Sequence, residues 1–297
     1  MRSGTVAVIG RANAGKSTLI NVIVGEKVAI VSPKPQTTRE RILGILTTDD
    51  YQIVFEDTPG IYKAKNRLND FMQRQTSDTA KDVDLILFVI DGHEGVKEED
   101  LETLSAYSKT AEKNGAKLLV AFTKTDIMPK EKIPSELVKF AGIECEGVIP
   151  VSARKGKNVK QLTEKIVSLL PEGEKIFEED IVSDKSEKFM LKEIMREKLL
   201  LKFDKEIPHG VAVVLNEYKI RPSGTAEVNL DIICEKQNHK AILIGKQGAA
   251  LKEVSSFARE SMEKFLGRKV FLTVYVKVKE NWRDNPLLLT EYGYKEQ

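Results

Sequence analysis

The stretch Gly10-Arg11-Ala12-Asn13-Ala14-Gly15-Lys16-Ser17 constrains this chain more than any other. A short apolar run, Thr5 to Ile9, precedes it, and Thr18-Leu19-Ile20-Asn21-Val22-Ile23-Val24-Gly25 follows. The order is strand, glycine-bounded loop, helix, with a Lys-Ser pair closing the loop. In that arrangement backbone N–H groups of the loop and of the helix N-terminus point inward and cradle a polyphosphate. Lys16 then reaches the outer phosphates and the Ser17 hydroxyl ligates a magnesium ion. A chance glycine loop has no reason to carry both flanking elements, so the pattern predicts a nucleoside triphosphate site.

The chain has 297 residues, enough for two domains; 41% are hydrophobic and 31% charged. Its longest apolar run, Leu85 to Ile90, suits a buried strand and is too short to span a bilayer. Met1-Arg2-Ser3-Gly4 leads directly into the first strand, which predicts a cytoplasmic chain without a signal peptide. Cys145 and Cys234 lie far apart without metal-ligand spacing and read as reduced thiols. The net charge is +2, but residues 191–297 hold 19 Lys and Arg against 15 Asp and Glu. A mildly basic C-terminal part is a weak pointer to nucleic acid.

Residues 1 to about 170 alternate strand and helix patterns, predicting an α/β domain with a doubly wound, mostly parallel sheet. Paired strands are expected at Arg41–Thr48 and Tyr51–Asp57, buried strands at Leu85–Asp91 and Lys117–Phe122, and a last strand at Gly147–Val151. Ligands of such sheets sit at the C-terminal ends of strands, and the informative residues fall there. Asp57-Thr58-Pro59-Gly60, followed by Ile61, ends the third strand; Asp57 suits the metal and the Gly60 N–H the terminal phosphate. Thr37 and Thr38 lie in a polar loop, and one of the two hydroxyls, preferably Thr38, is the second candidate metal ligand. Thr123-Lys124-Thr125-Asp126 follows the fifth strand. A carboxylate only accepts hydrogen bonds, so Asp126 requires a base edge with two adjacent donors, which guanine has and adenine lacks. Lys124 can lie along the base plane, and Ser152-Ala153 after the last strand can offer the Ala153 N–H to the guanine carbonyl.

GRANAGKS, the Thr38 loop, DTPG, TKTD and the Ser152-Ala153-Arg154 step, in that order, resemble the P-loop GTPases of the TRAFAC class. Lys34-Pro35-Gln36-Thr37-Thr38-Arg39 is close to the Era family in particular. The resemblance implies GTP and GDP as ligands, Mg2+ as cofactor, and Lys16, Thr38, Gly60 and Asn13 as the residues acting in hydrolysis. Thr123 stands where the family usually has Asn, which weakens the expected base contact and loop brace, and Ala12 stands where it usually has Pro. Ile61 occupies the place of the water-orienting glutamine of Ras-like switches, so slow intrinsic hydrolysis is expected. Asn13 resembles the asparagine with which related GTPases hold K+ beside the phosphates.

Pro171-Glu172-Gly173 marks a boundary, and the acidic stretch 172–188 reads as an exposed linker between domains 1–171 and 189–297. A helix is expected at Phe189–Phe203, strands at Val211–Leu215 and Ala226–Ile233, and a short helix at His239–Ile244. Gly245-Lys246-Gln247-Gly248, a helix to about Leu266 and a strand at Val270–Val278 complete the order. That order resembles a smaller α+β domain of the type II KH class, whose Gly-x-x-Gly loop clamps about four nucleotides of single-stranded RNA. Gly245 and Gly248 admit the sugar-phosphate chain, Lys246 adds charge, Gln247 completes the loop, and Ile242 and Ile244 offer an apolar floor. Trp282, in a tail that also looks like the Era C-terminus, either stacks on a base or packs against the last strand.

The resemblance implies a monomeric GTP-driven switch that binds the 3′ end of 16S ribosomal RNA and assists 30S subunit assembly. The loop around Thr37-Thr38 and residues 57–65 are expected to change with the nucleotide. The alternative is a GTP-regulated RNA-binding protein with negligible hydrolysis, or a regulator held peripherally at the inner face of the cell membrane.

Overall fold

The computed structural model describes residues 1–61 and 66–294, with the side chains of 77 and 78 excepted; residues 62–65, the end of the second expected switch, lie outside the described residues. The described residues divide into two compact units. Residues 1–29, 38–61 and 72–184 form the first; residues 30–37, 66–71 and 185–294 form the second. No helix among the described residues is long and apolar enough to cross a membrane.

The first unit is built on a six-stranded sheet in the order β2-β3-β1-β4-β5-β6. Its strands are β1 (Arg2–Ile9), β2 (Ile42–Thr47), β3 (Tyr51–Asp57), β4 (Leu85–Asp91), β5 (Lys117–Thr123) and β6 (Val148–Pro150). All pairings are parallel except β2 with β3, which are antiparallel. The central strands carry unbroken apolar runs, Val6–Ile9, Leu85–Ile90 and Leu118–Phe122, because the sheet is covered on both faces. Val6, Val8, Leu85, Leu87 and Val89 enter one core with Leu19, Ile20 and Ile23 of α1 (Lys16–Val24). Alternate residues Ala7, Ile9, Ile86, Phe88 and Ile90 enter the other core. The remaining helices here are α2 (Arg67–Thr79), whose first turns group with the second unit, α3 (Glu98–Asn114), α4 (Lys132–Val138) and α5 (Val159–Leu169). Chain connections from β1 lead to one side of the sheet and those from β4 to the other, so the loop after β1 opens at the switch point where such sheets bind ligands.

The stretch expected to be a free linker is tied to the first unit as far as Asp184. Ile45 N–H donates to the Val182 carbonyl at 2.9 Å, and Leu43 N–H to Asp184 Oδ1 at 2.8 Å, covering the edge of β2. Gln52, fully buried on β3, uses both ends of its amide: Oε1 accepts from Ile176 and Phe177 N–H, and Nε2 donates to the Phe177 carbonyl at 2.8 Å. The acidic composition reflects solvent on one side only, with the backbone occupied on the other.

The second unit holds α6 (Glu187–Lys202), β7 (Ala212–Ile220), β8 (Ala226–Cys234), α7 (Gln237–Ile244), α8 (Ala249–Leu266), β9 (Val270–Val278) and α9 (Pro286–Glu291). Its sheet runs β7-β8-β9, with β8 antiparallel to β7 and parallel to β9. In β8, Ala226, Val228, Leu230, Ile232 and Cys234 alternate into a core completed by Val254, Ala258 and Met262, one face of α8. α6 begins two residues earlier than the apolar period suggests, because the Ser186 hydroxyl caps Phe189 N–H. β7 runs five residues beyond the expected strand, past a register shift between Leu215 and Glu217. Cys234 is buried, Cys145 partly so, and both are free thiols.

Replacing Gln52 with Ala strands two N–H groups and a carbonyl of residues 176–177. Hydrogen exchange should accelerate across 174–180, with a loss of about 1–3 kcal/mol in the chemical unfolding of the first unit. Unchanged protection there would contradict the tethering.

Candidate functional site

The phosphate loop lies where β1 ends and α1 begins. A Cβ at Gly10 would fall 2.2 Å from the Val89 carbonyl oxygen, so only glycine lets the loop leave β1 against β4. Lys16 is almost fully buried, and its ammonium donates to the Gly10 carbonyl at 2.9 Å and the Arg11 carbonyl at 3.1 Å. Burial pushes its pKa down from 10.5 to about 8, against the opposing pull of the Asp57 carboxylate. Arg11 Nε pairs with Asp100 of α3 at 2.7 Å. Ala14 is buried in the core, Asn13 is left-handed at φ 65, and Thr18 continues the first turn of α1.

Three oxygens from separate segments meet beside Lys16. Ser17 Oγ donates to Asp57 Oδ2 at 2.6 Å, Thr38 Oγ1 donates to the same oxygen at 3.2 Å, and the two hydroxyls lie 3.0 Å apart. Asp57 is fully buried and its Oδ1 has no partner among the described residues. Burial pushes this carboxyl up, opposed by the Ser17 hydroxyl, the Lys16 charge and the Thr38 hydroxyl. An all-oxygen set with an unpaired carboxylate oxygen and a deficit of positive charge fits a hard divalent cation such as Mg2+. The sequence left Thr37 and Thr38 open; the Thr37 hydroxyl instead bonds the Lys34 carbonyl at 2.6 Å and Ser32.

Thr58 donates to the Val8 carbonyl at 2.9 Å, and Thr76 donates to the Pro59 carbonyl at 2.9 Å, fixing the segment after β3. A Cβ at Gly60 would lie 2.5 Å from Ala12 Cα, so this segment runs directly over the phosphate loop. Ile61 N–H donates to the Gly10 carbonyl at 3.2 Å, while its side chain packs on the apolar core.

At the end of β5 the Thr123 hydroxyl lies 2.6 Å from the Ala14 carbonyl and 3.0 Å from the Ile90 carbonyl. Thr123 thus bridges to the phosphate loop, and the brace expected to weaken without Asn is present. Lys124, left-handed at φ 56, pairs with Asp91 at 2.6 Å. Asp91 was missed from sequence, although a carboxylate closing the wholly apolar run of β4 is the signal for it. Asp126 is exposed, and Ser152 Oγ, fully buried, donates to its Oδ1 at 2.7 Å. That bond first, aided by Arg154 and Lys155, holds the Asp126 carboxyl below its ordinary value. Reciprocal backbone bonds of 3.0 Å between Ser152 and Lys157 close the turn that carries Ala153.

In the second unit, α7 ends at Gly245 and α8 starts after Gly248. A Cβ at Gly245 would strike Ala250 Cβ at 2.7 Å, whereas at Gly248 it would meet nothing within 4 Å. Lys246 and Gln247 are exposed, Ile242 is about half exposed, and Ile244 is half-buried against the core. Trp282 is not available to a base. It is wholly buried, its Nε1 donates to the Gly210 carbonyl at 3.0 Å, and Tyr294 stacks on it with ring centres 6.0 Å apart. Its polar edge is satisfied, and Tyr292 and Tyr294 lie against the ring, so packing wins over stacking on RNA.

Burial of the Lys16 ammonium costs about 3 kcal/mol, set by the gap between 10.5 and about 8. The unfolded chain binds the extra proton between those values, so stability should rise as pH goes from 8 to 10.5. Urea unfolding at about pH 7.5 and about pH 9.5 should show that rise relative to Lys16→Met. Parallel curves would contradict the buried ammonium.

Residues 5–124 match the family described as 50S ribosome-binding GTPase, and residues 206–283 match the KH domain family. GTPase Era of Clostridium kluyveri is 47% identical over 296 residues, covering 99% of this chain and 100% of that protein. GTPase Era of Clostridium botulinum is 44% identical over 295 residues, covering 99% and 98%. A single-residue variant of Aquifex aeolicus Era, solved bound to GDP.AlF4-, superposes with a TM-score of 0.92 at 37% identity over the whole of both chains. Era solved with MgGDPNP and nucleotides 1506–1542 of 16S ribosomal RNA gives the same score and identity. With a phosphate loop and a carboxylate-bearing base loop in one unit and a Gly-x-x-Gly turn in the other, this chain belongs to the Era family of GTPases.

Proposed function

We propose that this chain is a Mg2+-dependent GTP-hydrolysing switch that binds 16S ribosomal RNA near its 3′ end and assists 30S subunit assembly from the cytoplasm. The observation that carries the nucleotide reading is Asp126, kept ionised by Ser152 at the end of β5. An ionised carboxylate offers only acceptors, and guanine places two donors side by side where adenine places an acceptor. Supporting the rest, a relative of this family was solved with MgGDPNP and a 16S fragment, and another with GDP.AlF4-.

Ser17, Thr38 and Asp57 would hold the magnesium, which when bound offsets the charge of the phosphates. Lys16 would exchange the Gly10 and Arg11 carbonyls for phosphate oxygens, which restores its full positive charge. The Gly60 N–H faces the terminal phosphate in this reading. Ile61 has no polar side-chain atom to orient water, so intrinsic turnover is slow. Asn13 in the phosphate loop then supports a role for K+ beside the phosphates, and hydrolysis should be faster in K+ than in matched Na+ buffer. The RNA lies across Gly245–Gly248, with Ile242 beneath the bases and Lys246 near the backbone.

GTP should displace a bound fluorescent guanine nucleotide at least about 100-fold more effectively than ATP, because adenine would cover the Asp126 carboxylate with an acceptor in place of two donors. Displacement by ATP at equal concentration would end the guanine reading. Gly248→Asp puts a carboxylate into open space at φ 79, a conformation Asp tolerates, so the fold should hold. Affinity for short 16S 3′-end RNA should fall by roughly tenfold or more through repulsion of phosphate, with GTP binding intact. Loss of both, or of neither, would contradict separate nucleotide and RNA sites.

A further inference from the structure

β5 lies between β4 and β6, so the base loop that follows it has a strand end on either side. Each neighbour holds one of its side chains. After β6, Ser152 donates to Asp126 at 2.7 Å. At the end of β4, Asp91 Oδ2 accepts from the Lys124 ammonium at 2.6 Å. Asp91 is buried and its other oxygen is also engaged: Oδ1 accepts from His93 N–H at 3.0 Å and from Glu94 N–H at 3.4 Å, closing the turn after β4. That turn is fixed in its own right. Gly92 N–H donates to the Thr123 carbonyl at 2.9 Å, and a Cβ on Gly92 would fall 2.5 Å from the same oxygen. Val96 N–H donates to Glu136 Oε2 of α4 at 2.7 Å. All of these residues belong to the first unit.

Lys124 is held at both ends. Its backbone is left-handed at φ 56, a conformation that a long side chain adopts where the surroundings impose it. Thr123 before it is bonded to the phosphate loop, and the Lys124 carbonyl accepts from Ile127 N–H at 3.2 Å. A free lysine stem samples many rotamers and loses them when a ligand is laid against it. With the ammonium tied to a carboxylate that is already oriented, the stem has little freedom left to lose. The Lys124 side chain is still 32% exposed, so a flat ring can cover its methylenes while the ammonium keeps its partner. As a stabilising contact a part-exposed lysine–carboxylate pair is worth little. As a support for a ligand-binding side chain it is worth more.

The geometry points to Asp91 as a positioning residue for nucleotide binding. It keeps the Lys124 stem in the place where the base lies along it, so that binding does not have to order a flexible side chain. The inference rests on the reading of Lys124 as lying along the base plane. The two carboxylates of this region then have separate tasks. Asp126 chooses the base, and Asp91, through Lys124, sets how tightly the chosen ring is held. Its effect is the same for GTP and GDP, and the same for guanine and for hypoxanthine, which lacks the exocyclic amine.

The test uses the full chain. Asp91→Asn keeps an oxygen for the His93 and Glu94 N–H groups and puts an uncharged amide where the tether was, so the fold should hold. Affinities for a non-hydrolysable GTP analogue, for GDP and for inosine diphosphate should fall by one common factor, roughly three- to tenfold. Affinity for inorganic tripolyphosphate, which has no base, should stay within about twofold. Lys124→Ala should weaken nucleotide binding, and adding Asp91→Asn to it should cost nothing further, since both act through one stem. Asp91→Glu keeps the charge and displaces it by one methylene. It should lie between the intact chain and Asp91→Asn, and it serves as the measurement if the latter does not fold. Nucleotide affinity unchanged in the Asp91 variants while Lys124→Ala weakens it, losses that add to those of Lys124→Ala, unequal losses for GDP and inosine diphosphate, or an equal loss for tripolyphosphate would each overturn the role of Asp91 alone. Lys124→Ala without effect on nucleotide affinity would overturn the base-plane reading and this role with it.

Discussion

Asp57 is a carboxylate placed at the end of a buried strand with one oxygen bonded twice and the other bonded to nothing described. Such a group is expensive unless positive charge comes to it. Lys16 supplies part of that charge, itself held away from water at a cost. The two segments that carry Ser17 and Thr38 converge on the same carboxylate, so the phosphate loop, the Thr38 loop and the end of β3 share one electrostatic problem. A magnesium–polyphosphate complex would bring both a cation for Asp57 and anions for Lys16.

The rest of the first unit delivers groups to that point. A sheet covered on both faces forces its functional residues to strand ends, where side chains escape the two cores. The Thr123 hydroxyl ties the base loop to the phosphate loop, so base and phosphate recognition share a frame. The Thr38 loop is held from its other end by Arg196, Glu197 and Asp204.

Much of this was legible in the chain because it is local. Gly10 to Ser17, the Asp57–Gly60 step and the Gly245–Gly248 turn each carry their meaning within four to eight neighbouring residues. The alternation over Ala226–Leu230 in β8 and the unbroken apolar run of β4 announced one-sided and two-sided burial respectively. What escaped depends on partners distant in sequence. Trp282 is satisfied by a carbonyl 72 residues away, and the acidic stretch 172–184 by an amide on β3 124 residues away. β7 continues past its apolar half because a register shift lets a polar strand keep pairing. Arg196 sits in an amphipathic helix as an ordinary charged residue until the loop it holds is seen.

Asp57 would serve as the anchor of a divalent cation. Affinity for a non-hydrolysable GTP analogue, measured against Mg2+ concentration in the intact chain and in Asp57→Asn, addresses it directly. Mg2+ should strengthen binding at least about tenfold in the intact protein and barely change it in the neutral variant. Equal responses to Mg2+ in both proteins would contradict it.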